Sequence, residues 1–188
     1  MKTKPHYIKE LIARGENQQL DFKFEISDAR KIARTLSAFA NTDGGKLLIG
    51  VKDNGVISGI RTDEEEYMIE SAAHLFCKPR INYTIKKWNV DGRWVLEVSI
   101  LKSKSRPHYA KDEKGNWIAY VRVADQNFQA NRILIRVWNN EMNKRDVLLK
   151  YNNEVKKLID FLENHPNITL SKFTRIAHIT RKVAENIL

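Results

Sequence analysis

Cysteine is almost missing from this chain: Cys77 is the single one in 188 residues. One thiol cannot close an internal disulfide, and a cysteine-rich zinc site within one chain is excluded with it. The five histidines, at 6, 74, 108, 165 and 178, show no paired metal-ligand spacing, so a bound metal would have to be held by carboxylates. Long apolar runs are missing too. No stretch of about 18 apolar residues is present to span a bilayer, and the opening MKTKPHYIKELIARG lacks the uninterrupted apolar segment of a secretory signal. A cytoplasmic protein that does not enter membranes is expected. There is no internal repeat and no low-complexity tract, and 42% hydrophobic residues are enough for one domain with a true core plus a small appendage.

What the chain has in excess is positive charge: 33 Lys and Arg against 23 Asp and Glu, a formal net charge of +10. Such an excess attracts polyanions through phosphate neutralisation and counterion release, although many soluble proteins are basic without a specific partner. The segment LKSKSRPHYAK concentrates the charge, setting Lys102, Lys104, Arg106 and Lys111 around His108 and Tyr109. Cations interleaved with rings suit phosphate contact and base stacking, and a solvated loop has the same look.

Residues 7–14 have helical spacing, with Gly15 as the stop. LDFKFEI then alternates, with Leu20, Phe22, Phe24 and Ile26 on one face and Asp21, Lys23 and Glu25 on the other, which predicts a strand with a polar face. Ser27 is placed to cap a helix carrying Ile32, Ala33, Leu36, Phe39 and Ala40 at helical intervals. After it, FANTDGGKLLIGVKDNGVISGI predicts a turn on Gly44 and Gly45, a buried strand from Leu47 to Val51, and an Asn54-Gly55 hairpin into Val56 to Ile60. GGK lacks the spacer and the following Ser or Thr of a Walker A loop, which excludes that kind of ATPase. Thr62 caps a helix with an acidic first turn that ends near Pro79, two strands flank Asp91-Gly92, and Trp117 to Val123 is a further strand. A short helix around residues 131–138 closes the region. Helices and hairpins alternate without regular βαβ units, so the expected class is α+β.

The polar stretch NNEMNKRDVLLKYNNE marks a boundary and divides a domain of residues 1–140 from a unit of residues 150–188. The second has the pattern of a helix-turn-helix: a helix over 154–163, Pro166 in a turn, Ser171 capping a second helix and Thr180 capping RKVAENIL. Arg181, Lys182 and Asn186 would then lie on the helix that reads a groove, and a small bundle used for dimerisation fits the pattern equally. No wing strands lie between that helix and Leu188. Among the acids, Glu16, Asp21 and Asp53 fall near strand ends and a tight turn, where three carboxylates can gather around Mg²⁺ or Mn²⁺, with Lys23 stabilising charge on a phosphate. Solvated surface acids give the same spacing.

ENQQLDFKFEI followed by SAFANTDGGKLLIGVKDNGVISGI resembles the signature of the Schlafen AlbA-2 family, and RPHYAKDEKGNWIAYVRVADQNFQA resembles its final segment. The likeness covers roughly residues 10 to 135. It implies an α+β domain built on an AlbA-like mixed sheet with flanking helices, found in bacteria mostly as a DNA-binding module joined to a helix-turn-helix. It also implies a second activity. In animal members two related lobes form a cleft in which three acids support endoribonuclease cleavage of structured RNA such as transfer RNA, and those positions match Glu16, Asp21 and Asp53. Asp21 stands where the family usually has Glu, one methylene shorter, or about 1.5 Å of reach, and Asn17 replaces the usual serine. One lobe is half a cleft, so the likeness implies a homodimer.

The leading expectation is a nucleic-acid-binding protein of regulatory type, needing no cofactor to bind, with Lys102, Lys104, Arg106, Lys111, Arg122 and Arg132 as contacts and Arg181 and Lys182 added if the tail reads DNA. The alternative is an endoribonuclease dependent on Mg²⁺ or Mn²⁺, using Glu16, Asp21, Asp53 and Lys23. A scaffold whose basic face is incidental is the third reading.

Overall fold

The computed structural model describes residues 7–60, 63–143 and 150–188. The chain divides into two compact units, residues 1–131 and 132–188. The first runs α1 (Tyr7–Ala13), β1 (Leu20–Lys23), α2 (Ala29–Asn41), β2 (Gly45–Ile49), α3 (Glu64–His74), β3 (Cys77–Lys78), β4 (Tyr83–Val90), β5 (Arg93–Ile100), β6 (Tyr109–Lys111), β7 (Trp117–Val123) and β8 (Gln126–Gln129). These strands form two sheets, in the orders β1-β2-β5-β4 and β3-β6-β7-β8. Only β1 and β2 pair in parallel, with Asp21 opposite Leu47; the other pairings are antiparallel. The class is α+β, as the irregular alternation of elements predicts.

Helix α2 organises the unit. Its periodicity predicts one apolar face, yet ten of its thirteen residues are buried, including Thr35, Ser37 and Asn41. A helix becomes buried nearly all round when it has cover on both sides. Here Ile32, Leu36 and Phe39 share one core with Leu47, Ile49, Leu96 and Val98 of the first sheet and with Ala110 and Tyr120 of the second. Helix α1 covers the opposite face of the first sheet, where Ile8 and Leu11 meet Leu20, Phe22, Leu48 and Val95.

The double glycine lets β2 begin directly beneath the end of α2. Gly44 sits at φ +71, and a Cβ there would stand 2.7 Å from the Ile100 carbonyl oxygen. At Gly45 it would stand 2.5 Å from the Phe39 ring. The Asn54-Gly55 turn forms as well, with Gly55 at φ +79, but only the bridge from Val51 to Ile57 follows it. The expected strand over 56–60 is not extended, because Gly59 takes φ +78 and Ile60 turns to donate its N–H to Trp94 at 2.8 Å. Asp28, not Ser27, caps α2, accepting from the Arg30 N–H at 2.8 Å. Thr62, the expected cap of α3, lies outside the described residues.

The second unit contains α4 (Arg132–Met142), α5 (Asn153–Leu162), α6 (Leu170–Ala177) and α7 (Arg181–Ile187). Its small core holds Phe173, Ala177 and Ala184, with Leu158, Ile168 and Ile179 packed against it. The helix expected around 131–138 is therefore the first helix of this unit. Thr169 caps α6 in place of the expected Ser171, and Thr180 caps α7 by accepting from the Val183 N–H at 3.4 Å. Between these helices His178 adopts the left-handed conformation, φ 57 and ψ 44, and turns the chain in three residues.

Candidate functional site

Alternation along β1 directs Leu20 and Phe22 towards α1 and Asp21 and Lys23 to the other side. That side is not open to solvent as the polar pattern predicts, since Asp21 is 4% exposed. Arg122 of β7 covers it. This guanidinium, on a residue only 2% exposed, donates to Asp21 Oδ1 at 3.0 Å, to the carbonyls of Asn17 and Leu20 at 3.2 Å each, and to Asn127 Oδ1 at 3.2 Å. It also lies over the Phe39 ring, 5.1 Å from the centroid. Arg122 is expected from sequence to contact nucleic acid; enclosed and fully engaged, it instead ties the second sheet to the edge of the first.

Of the three expected acids, Glu16 and Asp21 are neighbours and Asp53 does not join them. Glu16 accepts from the Phe22 N–H at 2.8 Å. Burial holds its carboxyl above the usual range, and the adjacent Asp21 charge adds to the rise against the pull of the Phe22 amide. Asp53 is exposed in the turn after β2. Among the described residues no three His, Cys, Asp or Glu side chains gather as metal ligands. Both oxygens of Asp21 already face cations: Oδ1 faces Arg122, and Oδ2 lies 2.8 Å from Lys23 Nζ, an ion pair without hydrogen-bond alignment. A donor set neutralised in this way does not fit Mg²⁺ or Mn²⁺.

The basic segment forms the β5–β6 connection. Lys102 and Lys104 are exposed, Lys102 pairing at 3.4 Å with Asp43, and Arg106 is half-buried. Lys111 lies on β6 with its ammonium 5.8 Å from the centre of the Trp117 ring. His108 is buried beneath the loop, and burial lowers its pKa. The Pro79 carbonyl, 3.0 Å from Nδ1, can only accept, so Nδ1 carries the proton and Nε2 accepts the Ser103 hydroxyl at 2.7 Å. In the second unit Arg132, Arg181 and Lys182 are all exposed, and Arg181 pairs at 2.9 Å with Glu185.

Sequence reasoning missed Asn41 and Thr42, although both stand in the motif AFANTDGG. Asn41 Nδ2 donates to the carbonyls of His108 and Tyr120 at 2.8 and 2.9 Å, and its Oδ1 accepts from the His108 N–H at 2.7 Å. Thr42 Oγ1 accepts from the Arg122 N–H at 3.0 Å. The signal was an amide at the end of an otherwise apolar helix, where a buried polar group needs partners. Glu97 was missed too. Buried on the α1 side of the first sheet, it accepts from Tyr7 at 3.0 Å and Trp88 at 2.8 Å and pairs with Lys46.

The two-sheet unit and its motif residues correspond to a known family: the profile described as Schlafen, AlbA_2 matches residues 16–131. The chain belongs to this family. The Schlafen AlbA_2 match runs from the first acid of the Glu16–Asp21 pair to the last residue of the first unit. Among solved structures, the chain is similar to the DIP2311 protein of Corynebacterium diphtheriae, with a TM-score of 0.51 at 18% identity, over 81% of this chain and 31% of that one. The chain thus spans about a third of that protein, and the likeness is one of fold. It is also similar to the N-terminal domain of a RecG-related protein from Nitrosomonas europaea, with a TM-score of 0.44 at 20% identity, over 79% of this chain and 98% of that domain. Membership of the Schlafen AlbA_2 family marks the chain as nucleic-acid related. No helix among the described residues is long and apolar enough to cross a membrane.

Proposed function

We propose that this chain is a DNA-binding protein of transcription-regulator type, which grips duplex DNA with its C-terminal helix-turn-helix and with the basic β5–β6 loop. The observation that carries the reading is the start of α7. A three-residue turn joins α6 to α7, and the exposed Arg181 and Lys182 open the second helix. Cations in a first turn oppose the helix dipole. Lys182 has no acidic partner among the described residues, so phosphate contact supplies the compensation the chain itself does not. Lys102, Lys104, Arg106 and Lys111 of the first unit, and Arg132 of the second, are the further phosphate contacts of this reading. The reading includes a homodimer, by analogy with two-lobed relatives, and a cytoplasmic location, where bacterial DNA is found.

The test is equilibrium binding of the full chain to a labelled 30-base-pair duplex across a salt series. Affinity is expected to fall steeply with salt, and Arg181→Gln/Lys182→Gln to reduce the log–log slope by about two, one for each phosphate no longer neutralised. A slope unchanged by that variant overturns the role of α7. The endoribonuclease reading is favoured by the adjacency of Glu16, Asp21 and Lys23 but lacks a fitting cation site; transfer RNA cleavage in Mn²⁺ that is abolished in Asp21→Asn would reinstate it. Light scattering at the binding concentration tests the dimer, and a monomeric mass removes it.

A further inference from the structure

A cavity of about 690 Å³ opens where the β5–β6 loop crosses the ends of β4 and β5. The volume falls within the roughly 300–1,000 Å³ of small-molecule sites and exceeds what one inorganic anion needs. Its lining has three cations, Arg80, Lys102 and Lys104, and no acidic side chain. Arg80 and Lys104 are exposed and make no ion pair among the described residues. The floor is apolar: Pro79 is its exposed part and Ala40 and Ile81, at 1% and 2% exposure, lie beneath it, while Tyr83 and Leu101 also line the cavity. Leu101 is 84% exposed, an apolar side chain left in water at the cavity mouth. Asn82, Thr84, Ser99 and Ser105 complete the lining, the Ser99 hydroxyl being already engaged with Glu97 at 3.4 Å.

The loop is held open in this shape by its own hydrogen bonds. The Ser103 N–H donates to the Ala40 carbonyl at 2.8 Å, its hydroxyl donates to His108 Nε2, and its oxygen accepts from the Ser105 N–H at 3.0 Å. His108 is in turn anchored on Pro79. The site therefore does not have to be ordered at the moment of binding, which removes one of the main costs of association.

We propose that this cavity binds a single phosphorylated nucleotide unit. The phosphate lies against Arg80 and Lys104, the sugar against Ser105 and Asn82, and the base on the apolar floor at Pro79. An apolar floor, neutral polar groups and a rim on which Arg80 and Lys104 have no acidic partner among the described residues match the three chemically distinct parts of a nucleotide. A bare phosphate leaves the floor unused, and an apolar ligand leaves two cations unpaired. The proposal rests on the nucleic-acid reading above and adds to it a ligand smaller than a duplex. The unit can be the phosphorylated end of a strand or a free mononucleotide, since both present the same group.

The experiment titrates the full chain with adenosine 5′-monophosphate, with adenosine, and with single-stranded oligonucleotides carrying a 5′-phosphate or a 5′-hydroxyl, following amide shifts of residues 80–84 and 101–108 by NMR. The expected result is saturable binding of the monophosphate, at least tenfold weaker binding of adenosine, and at least a tenfold loss in Arg80→Gln/Lys104→Gln. Both substituted residues are exposed, so the variant is expected to fold. A phosphorylated oligonucleotide that displaces the monophosphate assigns the strand end, and one that does not assigns the free nucleotide. Absence of saturable shifts with every phosphorylated probe overturns the proposal. Duplex binding, measured in parallel on Arg181→Gln/Lys182→Gln, fails or survives independently of that outcome.

Discussion

Replacing Arg122 with methionine removes a buried side chain that joins the second sheet to the edge of the first. The side chain is 1% exposed and its partner Asp21 is 5% exposed, so water cannot take over its role. Methionine keeps an unbranched apolar side chain while deleting the charge, which lies over Phe39, and Lys23 is the cation left beside Asp21. Removing one partner of a buried pair costs about 3–5 kcal/mol, chiefly because the remaining charge stays desolvated. The carbonyls of Asn17 and Leu20 also lose a donor, but each keeps the other residue's N–H, at 3.3 and 2.9 Å, so they add little. With Lys23 retaining part of the pairing, the expected loss is about 4 kcal/mol. That is a large share of the roughly 5–15 kcal/mol that holds a typical domain together. Urea denaturation followed by tryptophan fluorescence reads it directly. The cycle with Asp21→Asn identifies the cause: the double variant should recover at least about 1.5 kcal/mol relative to the sum of the singles. A loss below about 1 kcal/mol, or strict additivity, refutes the claim that this pair is a sealed structural joint and returns Arg122 to the candidates for ligand binding.

Further expectations follow from the same geometry. Gly44→Ala meets both a left-handed φ and the Ile100 carbonyl, and should lower stability by about 2–3 kcal/mol; Gly92→Ala, at φ +80 in open space, should cost only about 1 kcal/mol, both read by urea denaturation. Asn41→Leu strands the His108 N–H and takes a donor from the Tyr120 carbonyl, while the His108 carbonyl keeps the Ser37 hydroxyl at 2.8 Å, and should cost about 3 kcal/mol by urea denaturation. The buried His108 has its pKa lowered, so the unfolded chain binds the proton first; stability should be complete above about pH 6.5 and decline as pH falls below it, and His108→Gln should remove that part of the slope. Glu97 acts lower on the scale. Although burial alone would raise its pKa, the hydrogen bonds from Lys46, Tyr7 and Trp88 together lower it, so its contribution is present above about pH 4.5 and lost as pH falls through the folded value. Glu97→Gln should flatten the acid limb of the stability curve.

The sequence was most legible where periodicity and turn chemistry act locally. The ends of α1 and α7, the Asp91-Gly92 hairpin and the strand from Trp117 to Val123 follow from spacing and caps alone. What it hid depends on cover from a distant segment. Asp21 has the pattern of a solvent-facing acid, and only the approach of Arg122, 101 positions later, makes it interior. Arg122 has the charge of a phosphate ligand for the same reason, since nothing local says that a strand's arginine points inward. The acids at 16 and 21 are brought together by a short turn and a strand, a local matter. Asp53 belongs to a separate turn, whose direction is set by Gly50 and Gly59 at positive φ. The cavity beside the basic segment was not legible at all, because its floor comes from α2 and the β3–β4 connection.

Enclosure of α2 by two sheets has a consequence for how the domain opens and how it varies. Arg30, Lys31 and Arg34 are its only residues that are not buried, so a saturation library of this helix should tolerate change at those three positions and little elsewhere. Neither sheet can shed the helix while keeping its own inner face dry. Amide exchange in β2 and β7 should therefore report one shared opening event, with the two sheets losing protection together as a single cooperative unit.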